Sequence, residues 1–332
     1  MYQTRIAGVG HYVPENIVTN HDLEQYMDTS DAWITERTGI KERRFFTENK
    51  DTTARMGIKA AEQAIERSGL HKNEIDFIIF ATLSPDYYFP GSGVIVQNEM
   101  GFPNIGALDI RNQCSGFIYG LSVADQFIKT GMYKNILLIG SETQSNFIEF
   151  SDRHRNMAVI FGDGAGAVVL SRCDNTGKGI LSTHLHAEGK YAQELINYHP
   201  GTRQKIRLTF DMLTDGSLLP YMNGNMVFKH AVVRFEEVIL EALSANHLSP
   251  DDIDLLIPHQ ANLRISQYIQ KRLGFPDEKV FNNIQKYGNT TAASIPIAFS
   301  EAWEQGLIQP GKLICIAAFG SGFTWGSALI RM

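Results

Sequence analysis

Cys114, His259 and Asn289 are residue types that can together make and break thioesters. A thiolate attacks an acyl carbonyl and carries the acyl group, which splits a difficult transfer into two easier ones. An imidazole N–H and a carboxamide N–H are donors that stabilise an oxygen on which negative charge develops. Cys114 stands in RNQCSGFIYGLSVADQFIKTG, where Ser115 and Gly116 suit the opening of a helix and Phe117, Leu121 and Phe127 its buried face. A thiol at a helix start meets the positive end of the dipole and free N–H donors, so its pKa is expected to fall. His259 follows the apolar run LLIP, and Asn289 stands in GNTTAASIP ahead of a second helical pattern. Each also has a plainer reading taken alone: a small buried hydrophobe for the cysteine, a hydrogen-bonded boundary residue for the histidine, a turn or N-cap for the asparagine.

The other candidates are weaker. Cys315 lies inside the apolar run LICIAAF, where burial makes it inert, and Cys173 follows a strand pattern in SRCDNTG. His184 and His186 flank a strand pattern and are metal-ligating types, but no third ligand stands near them in sequence.

The elements that must position the three residues come in two echoing halves. TTARMGIKAAEQAIERSGLHKNEIDFIIFATLS (52–84) and VVRFEEVILEALSANHLSPDDIDLLIPHQAN (232–262) each read as an amphipathic helix, a polar turn and a buried strand. Asp76 and Asp254 precede the two apolar strands, and aligning them sets His259 opposite Ala81. Residues 114–140 and 289–317 each read as a helix, a glycine (Gly131, Gly306) and an apolar strand; aligning those glycines sets Asn289 opposite Cys114. GDGAGAVVL and GSGFTWGSALI then close the halves. Matched elements in one order favour internal duplication, with an expected boundary between 1–173 and 174–332. Strands alternating with helices predict an α/β fold with mainly parallel strands, whose ligands gather at the carboxyl ends of strands. A pseudo-twofold axis would bring Cys114, His259 and Asn289 to one place.

The composition, 43% hydrophobic and 20% charged over 332 residues, is that of a globular protein with ample core. A net charge of −6 gives no basic excess for nucleic acid. No apolar run approaches the roughly 20 residues that span a bilayer, and the first residues, MYQTRIAGVGHYVP, read as a strand and carry no signal-peptide pattern. Three scattered cysteines form neither a metal pair nor a disulfide framework, so a cytoplasmic location is expected.

With these pieces in view, the sequence resembles the ketoacyl-acyl-carrier-protein synthase III family along nearly its whole length. The resemblance is carried by TSDAWITERTGIKER (29–43), QCSGFIYGLSVADQ (113–126), FGDGAGAVVL (161–170), STHLHAEG (182–189), PHQANLRI (258–265), YGNTTAASIP (287–296) and GSGFTWGSAL (320–329). It implies the thiolase fold, a five-layer αβαβα sandwich of two βαβαβαββ halves, and a homodimer. It further implies that Cys114 takes an acyl group from acyl-coenzyme A, and that His259 and Asn289 hold the thioester oxygen of a carrier-protein-bound malonyl unit as it decarboxylates and attacks. The backbone N–H groups of Cys114 and Ser321 would form a second oxyanion hole. Trp33, Arg37 and Arg155 would hold the coenzyme A nucleotide, Asn225 and Asn262 would line its pantetheine channel, and Phe89 would cap the acyl chain across the dimer. Lys229, Arg234, Arg264, Lys271 and Arg272 would dock the acidic carrier protein. No metal or organic cofactor is implied.

Two features depart from the family pattern. Ser321 stands where a glycine is usual, and the segment 190–224 is longer than the family loop, with apolar residues that would wall or plug the acyl pocket. A short primer, acetyl or a small branched acyl, is the expectation. The alternatives are a specialised acyltransferase or condensing enzyme of secondary metabolism on the same fold, and a catalytically silent partner subunit; the intact Cys114, His259 and Asn289 argue against the latter.

Overall fold

The computed structural model describes residues 2–174 and 177–332. The first half runs β1 (Gln3–Tyr12), α1 (Thr53–Ser68), β2 (Phe77–Ala81), α2 (Ser92–Glu99), β3 (Gly106–Ile110), α3 (Gly116–Lys129), β4 (Asn135–Glu142) and β5 (Gly164–Cys173). The second runs β6 (Gly179–Ala187), α4 (Gly224–Ala245), β7 (Leu255–Pro258), α5 (Leu263–Leu273), α6 (Ser294–Glu304), β8 (Leu313–Gly320) and β9 (Thr324–Arg331).

The first sheet has the order β1-β5-β4-β2-β3 and the second β7-β8-β9-β6. Reversing the second list pairs β6 with β1, β9 with β5, β8 with β4 and β7 with β2, so the duplication extends to topology. The second copy is trimmed. Where β3 adds a fifth strand to the first sheet, the second has only an isolated bridge from Leu256 to Val280.

Alternation along the strands decides the layers. β8 sends Leu313, Cys315, Ala317 and Phe319 outward against α4 and α5, and Ile314, Ile316 and Ala318 inward. β4 likewise sends Leu137 and Ile139 toward α1 and Ile136 and Leu138 toward α3. α3 and α6 therefore form a middle helical layer between the sheets, with α1 and α2 outside one sheet and α4 and α5 outside the other: five layers, αβαβα. α1 approaches β1 closely, since a Cβ on Gly8 would lie 2.1 Å from the Ala64 carbonyl oxygen.

The echoing aspartates have one job. Asp76 accepts the backbone N–H groups of Lys134 and Asn135, each at 2.8 Å, and Asp254 accepts that of Leu313 at 2.8 Å. Each carboxylate clamps the start of the strand beside its own.

One alignment is corrected by the coordinates. Gly116 and Ser294 open the two middle helices, and Asn135 and Leu313 open the strands that follow, each pair 178 residues apart. Gln113 and Thr291, at the same spacing, share positive φ values of 45° and 46°. The residue equivalent to Cys114 is therefore Ala292, not Asn289. The closing glycines misled because α6 has 11 residues against the 14 of α3, a difference of nearly one turn that the following loop restores.

Candidate active site

Cys114 lies in the single turn Gln113–Ser115 that leads into α3, and the turn Thr291–Ala293 leads into α6. The two turns meet at the pseudo-twofold axis. A Cβ on Gly140 would lie 2.5 Å from the Ala292 carbonyl oxygen, and one on Gly320 would lie 2.8 Å from the Cβ of Cys114. Only glycine at 320 lets β8 pass this near the nucleophile. Asn289 is held from the first half: its N–H donates to Ile160 O at 2.9 Å and its carbonyl accepts Gly162 N–H at 3.2 Å. His259 caps the end of β7, with its backbone N–H on Ala317 O at 2.8 Å. All three side chains line one cavity of about 150 Å³, together with Phe161, Leu195, Met222, Phe228, Phe319 and Gly320.

The side chains are oriented by partners that leave one face of each free. Asn289 Oδ1 accepts the Thr291 N–H at 2.9 Å, so the carboxamide keeps its Nδ2 donors. His259 Nδ1 is 2.6 Å from Ser294 Oγ, and its buried Nε2 has no partner. Burial holds the His259 pKa down at about 3, so the ring is neutral at physiological pH. A neutral ring with Nε2 protonated is a donor without a charge to desolvate.

The thiol does not follow the expectation of a lowered pKa. Burial pushes Cys114 up to about 12, with a further upward push from the Glu142 carboxylate. One helical turn at its start does not offset removal from water, so the free site holds a neutral thiol. Glu142 escaped the sequence reading altogether. It ends β4, is fully buried, and accepts from Thr82, Leu83, Ser84 and Gln144, with a longer contact at 3.4 Å to the Ala292 N–H of the facing turn. It sits opposite Gly320 in the duplication, and a carboxylate closing an apolar strand was the available signal. Ser294 was also missed; its mark is a hydroxyl at the first residue of a helix that abuts the site.

A larger cavity of about 660 Å³ shares Ile160, Met222, Gly224, Phe228 and Asn262 with the first and continues to the surface past Trp33, Arg37, Asn225 and Arg264. The guanidinium of Arg37 lies 4.5 Å from the Trp33 ring centre and that of Arg155 lies 5.1 Å from it. Arg155 also pairs with Asp28 at 3.6 Å. Asn262 lines the channel but is committed: it caps α5 through the Arg264 N–H at 2.9 Å and donates to Arg37 O at 3.0 Å. Asn225 is exposed at the mouth.

The basic set divides. Arg234 is clasped by Glu188 at 2.9 Å and Glu237 at 2.6 Å over Trp325, and Arg272 forms a two-pronged pair with Glu236. Lys229, Arg264 and Lys271 remain exposed and without an ion pair among the described residues. Phe89 lies outside the 150 Å³ cavity and is 80% exposed beside Tyr87 and Tyr88. The 190–224 segment contributes only its base to the cavity, through Leu195, Met222 and Gly224; Ile206, Leu208, Phe210 and Leu213 are exposed. His184 and His186 share Glu241, at 3.2 and 2.6 Å, yet among the described residues no group of three such side chains is arranged to hold a metal. Among them, too, no helix is long and apolar enough to cross a membrane.

Residues 108–189 match the family model 3-Oxoacyl-[acyl-carrier-protein (ACP)] synthase III, and residues 243–332 match the model of its C-terminal part. A beta-ketoacyl-[acyl-carrier-protein] synthase III from Caldanaerobacter subterraneus subsp. tengcongensis is 46% identical over 98% of this chain and 97% of its own length. The crystal structure of 3-oxoacyl-[acyl-carrier-protein] synthase III from Aquifex aeolicus VF5 superposes with a TM-score of 0.90 at 44% identity, over 99% of this chain and all of that one. The Thermus thermophilus enzyme superposes with a TM-score of 0.89 at 40% identity, over 99% of both chains. A duplicated thiolase-type sandwich with a buried cysteine, histidine and asparagine on its axis, matched end to end by these relatives, identifies the chain as a member of the 3-oxoacyl-[acyl-carrier-protein] synthase III family, a condensing acyltransferase.

Proposed function

We propose that the protein condenses a short acyl-coenzyme A primer with malonyl-acyl carrier protein to give 3-oxoacyl-acyl carrier protein, the opening step of fatty acid synthesis. The observation that carries this reading is the shared cavity of Cys114, His259 and Asn289, with an unpartnered His259 Nε2 and a free Asn289 Nδ2.

The first half-reaction forms a thioester on Cys114. Its sulfur attacks the primer carbonyl, coenzyme A leaves as the thiolate, and the Cys114 proton ends on that sulfur. The backbone N–H groups of Cys114 and Ser321 hold the oxyanion. In the second, the malonyl carboxylate leaves as carbon dioxide and its bonding pair passes to the thioester enolate. His259 Nε2–H and Asn289 Nδ2–H stabilise the enolate oxygen. The carbanion attacks the acyl-Cys114 carbonyl, and the departing thiolate takes a proton from water. The electron pairs move only among the substrates and the Cys114 sulfur, so the sequence of steps balances without an outside oxidant or reductant. Trp33, flanked by Arg37 and Arg155, receives the coenzyme A nucleotide, and the 660 Å³ channel past Asn225 and Asn262 takes the pantetheine.

The chain acts as a homodimer in the cytoplasm. Two features support the dimer: β3 pairs only with β2 and leaves its other edge open, and Phe89 stands exposed beside Tyr87 and Tyr88, an apolar group available to a second copy. Three free cysteines suit a reducing compartment. Lys229, Arg264 and Lys271 are the docking charges for the acidic carrier.

A short primer is the reading supported by the end-to-end match to synthase III relatives and by the small cavity around Cys114, about 150 Å³ against 660 Å³ for the channel it adjoins. The deciding measurement is kcat/KM across acyl-coenzyme A primers of two to ten carbons, expected to peak at the short end. A maximum at eight or more would move the protein to the specialised alternative.

A further inference from the structure

Ser321 is half-buried. Its Oγ donates to the Leu195 carbonyl at 2.5 Å. Leu195 belongs to a two-residue strand, Leu195–Ile196, whose partners are Tyr221 and Met222. Leu195 and Met222 both wall the cavity that holds Cys114. Asn223 N–H donates to Glu194 O at 2.8 Å and Asn223 Nδ2 to Glu194 Oε2 at 2.9 Å, so the two ends of the long segment are pinched together there.

The same serine is tied on its other side to the nucleophile's turn. Thr324 Oγ1 donates to Ser321 O at 3.0 Å and accepts from Ser115 Oγ, 2.8 Å away in that turn. A hydrogen-bonded chain therefore runs from the residue after Cys114, through Thr324 and Ser321, to the backbone of Leu195. A ladder of two residue pairs is weak by itself, and beyond it the segment is largely exposed.

We infer that the Ser321 hydroxyl is a specificity-determining group: by holding the Leu195 backbone it keeps the Leu195 side chain across the acyl pocket and sets the upper limit of primer length. The inference rests on the condensing reaction proposed above. A glycine here would supply the same backbone N–H to the acyl oxyanion but no donor to Leu195, so limit and chemistry are carried by different atoms of one residue.

The test uses the full chain and the ratio of kcat/KM for octanoyl- to acetyl-coenzyme A. Wild-type protein is first incubated with acetyl-coenzyme A, and its mass is read for an acetyl adduct. Ser321→Ala and Ser321→Gly should each raise the ratio about two- to tenfold, the range commanded by one neutral hydrogen bond. Ser321→Thr, which keeps the hydroxyl, should stay near the wild-type ratio. Leu195→Ala should raise the ratio directly, and adding Ser321→Ala to it should change little further. An unchanged ratio in Ser321→Ala, or full additivity with Leu195→Ala, overturns the inference while the acetyl adduct upholds the reaction. No adduct on wild-type protein overturns the reaction and, with it, this reading of Ser321.

Discussion

Ser294 Oγ stands 2.6 Å from Nδ1 of His259 and is the one polar group that meets the ring among the described residues. The Gln260 N–H points at the same hydroxyl oxygen from 3.4 Å, which favours Ser294 as donor to Nδ1 and leaves the ring proton on Nε2. Ser294→Ala should therefore slow malonyl decarboxylation, by no more than the hundred- to thousandfold typical of losing an oxyanion donor outright. Ser294→Thr should recover most of it, and acetyl transfer to Cys114 should be affected less. Equal losses in both half-reactions would make Ser294 a packing residue.

His259→Ala and Asn289→Ala are expected to spare much of the acyl transfer while cutting carbon dioxide release by about a hundred- to thousandfold each. Radiolabelled malonyl-carrier protein measures the second step apart from the first. Near-normal decarboxylation in either variant would remove that residue from the enolate site.

Cys114 alone should carry the acyl label, because Cys315 is buried outside the cavity and Cys173 ends β5. With the thiol pushed up to about 12, its thiolate fraction in the free protein rises tenfold per pH unit across the accessible range. Iodoacetamide labelling of Cys114 should climb from pH 7 to 10 without a plateau. A plateau near pH 7 would restore the activated thiolate that the helix start suggested.

His259 has a folded pKa near 3 against an unperturbed 6.5, so the neutral ring favours the folded state fully above pH 6.5. That contribution is lost as pH falls from 6.5 toward 3. The drop in Tm between pH 7.5 and 5 should be smaller in His259→Ala than in wild type, and decarboxylation should show no acid limb from this ring above pH 5. An acid limb at pH 6 to 7 that disappears in His259→Ala would contradict the neutral, buried ring.

Reversing Lys229, Arg264 and Lys271 to Glu should raise the apparent KM for malonyl-carrier protein more than that for acetyl-coenzyme A. Added salt should weaken the wild-type interaction alike, since exposed charges are screened over about 8 to 10 Å. Arg272→Ala, whose side chain is paired with Glu236, should leave that KM within about twofold. A larger effect from Arg272 than from the free set would relocate the docking surface.

Sequence alone was sufficient for the duplication, the α/β class and the choice of Cys114, His259 and Asn289, which folding brings to one cavity. Residue type, strand alternation and helix-start signals are local properties, and a repeat compares one stretch of chain with another. Even there the register of Asn289 slipped by three, because a helix shortened by three residues and a loop lengthened by as many keep the strands in step while shifting the glycine between them. The balance of forces at the site belonged to the tertiary structure. Whether a helix start or desolvation governs Cys114 depends on how completely β8, the facing turn and Glu142 close around it, and residues far apart in the chain supply that closure. Arg234 and Arg264 look alike in sequence, and only folding decided that one meets two carboxylates while the other faces the channel mouth. Ser321 and Leu195 stand 126 residues apart, so no local pattern could pair them; the packing of β8 and β9 against the base of the long segment brought hydroxyl and carbonyl together.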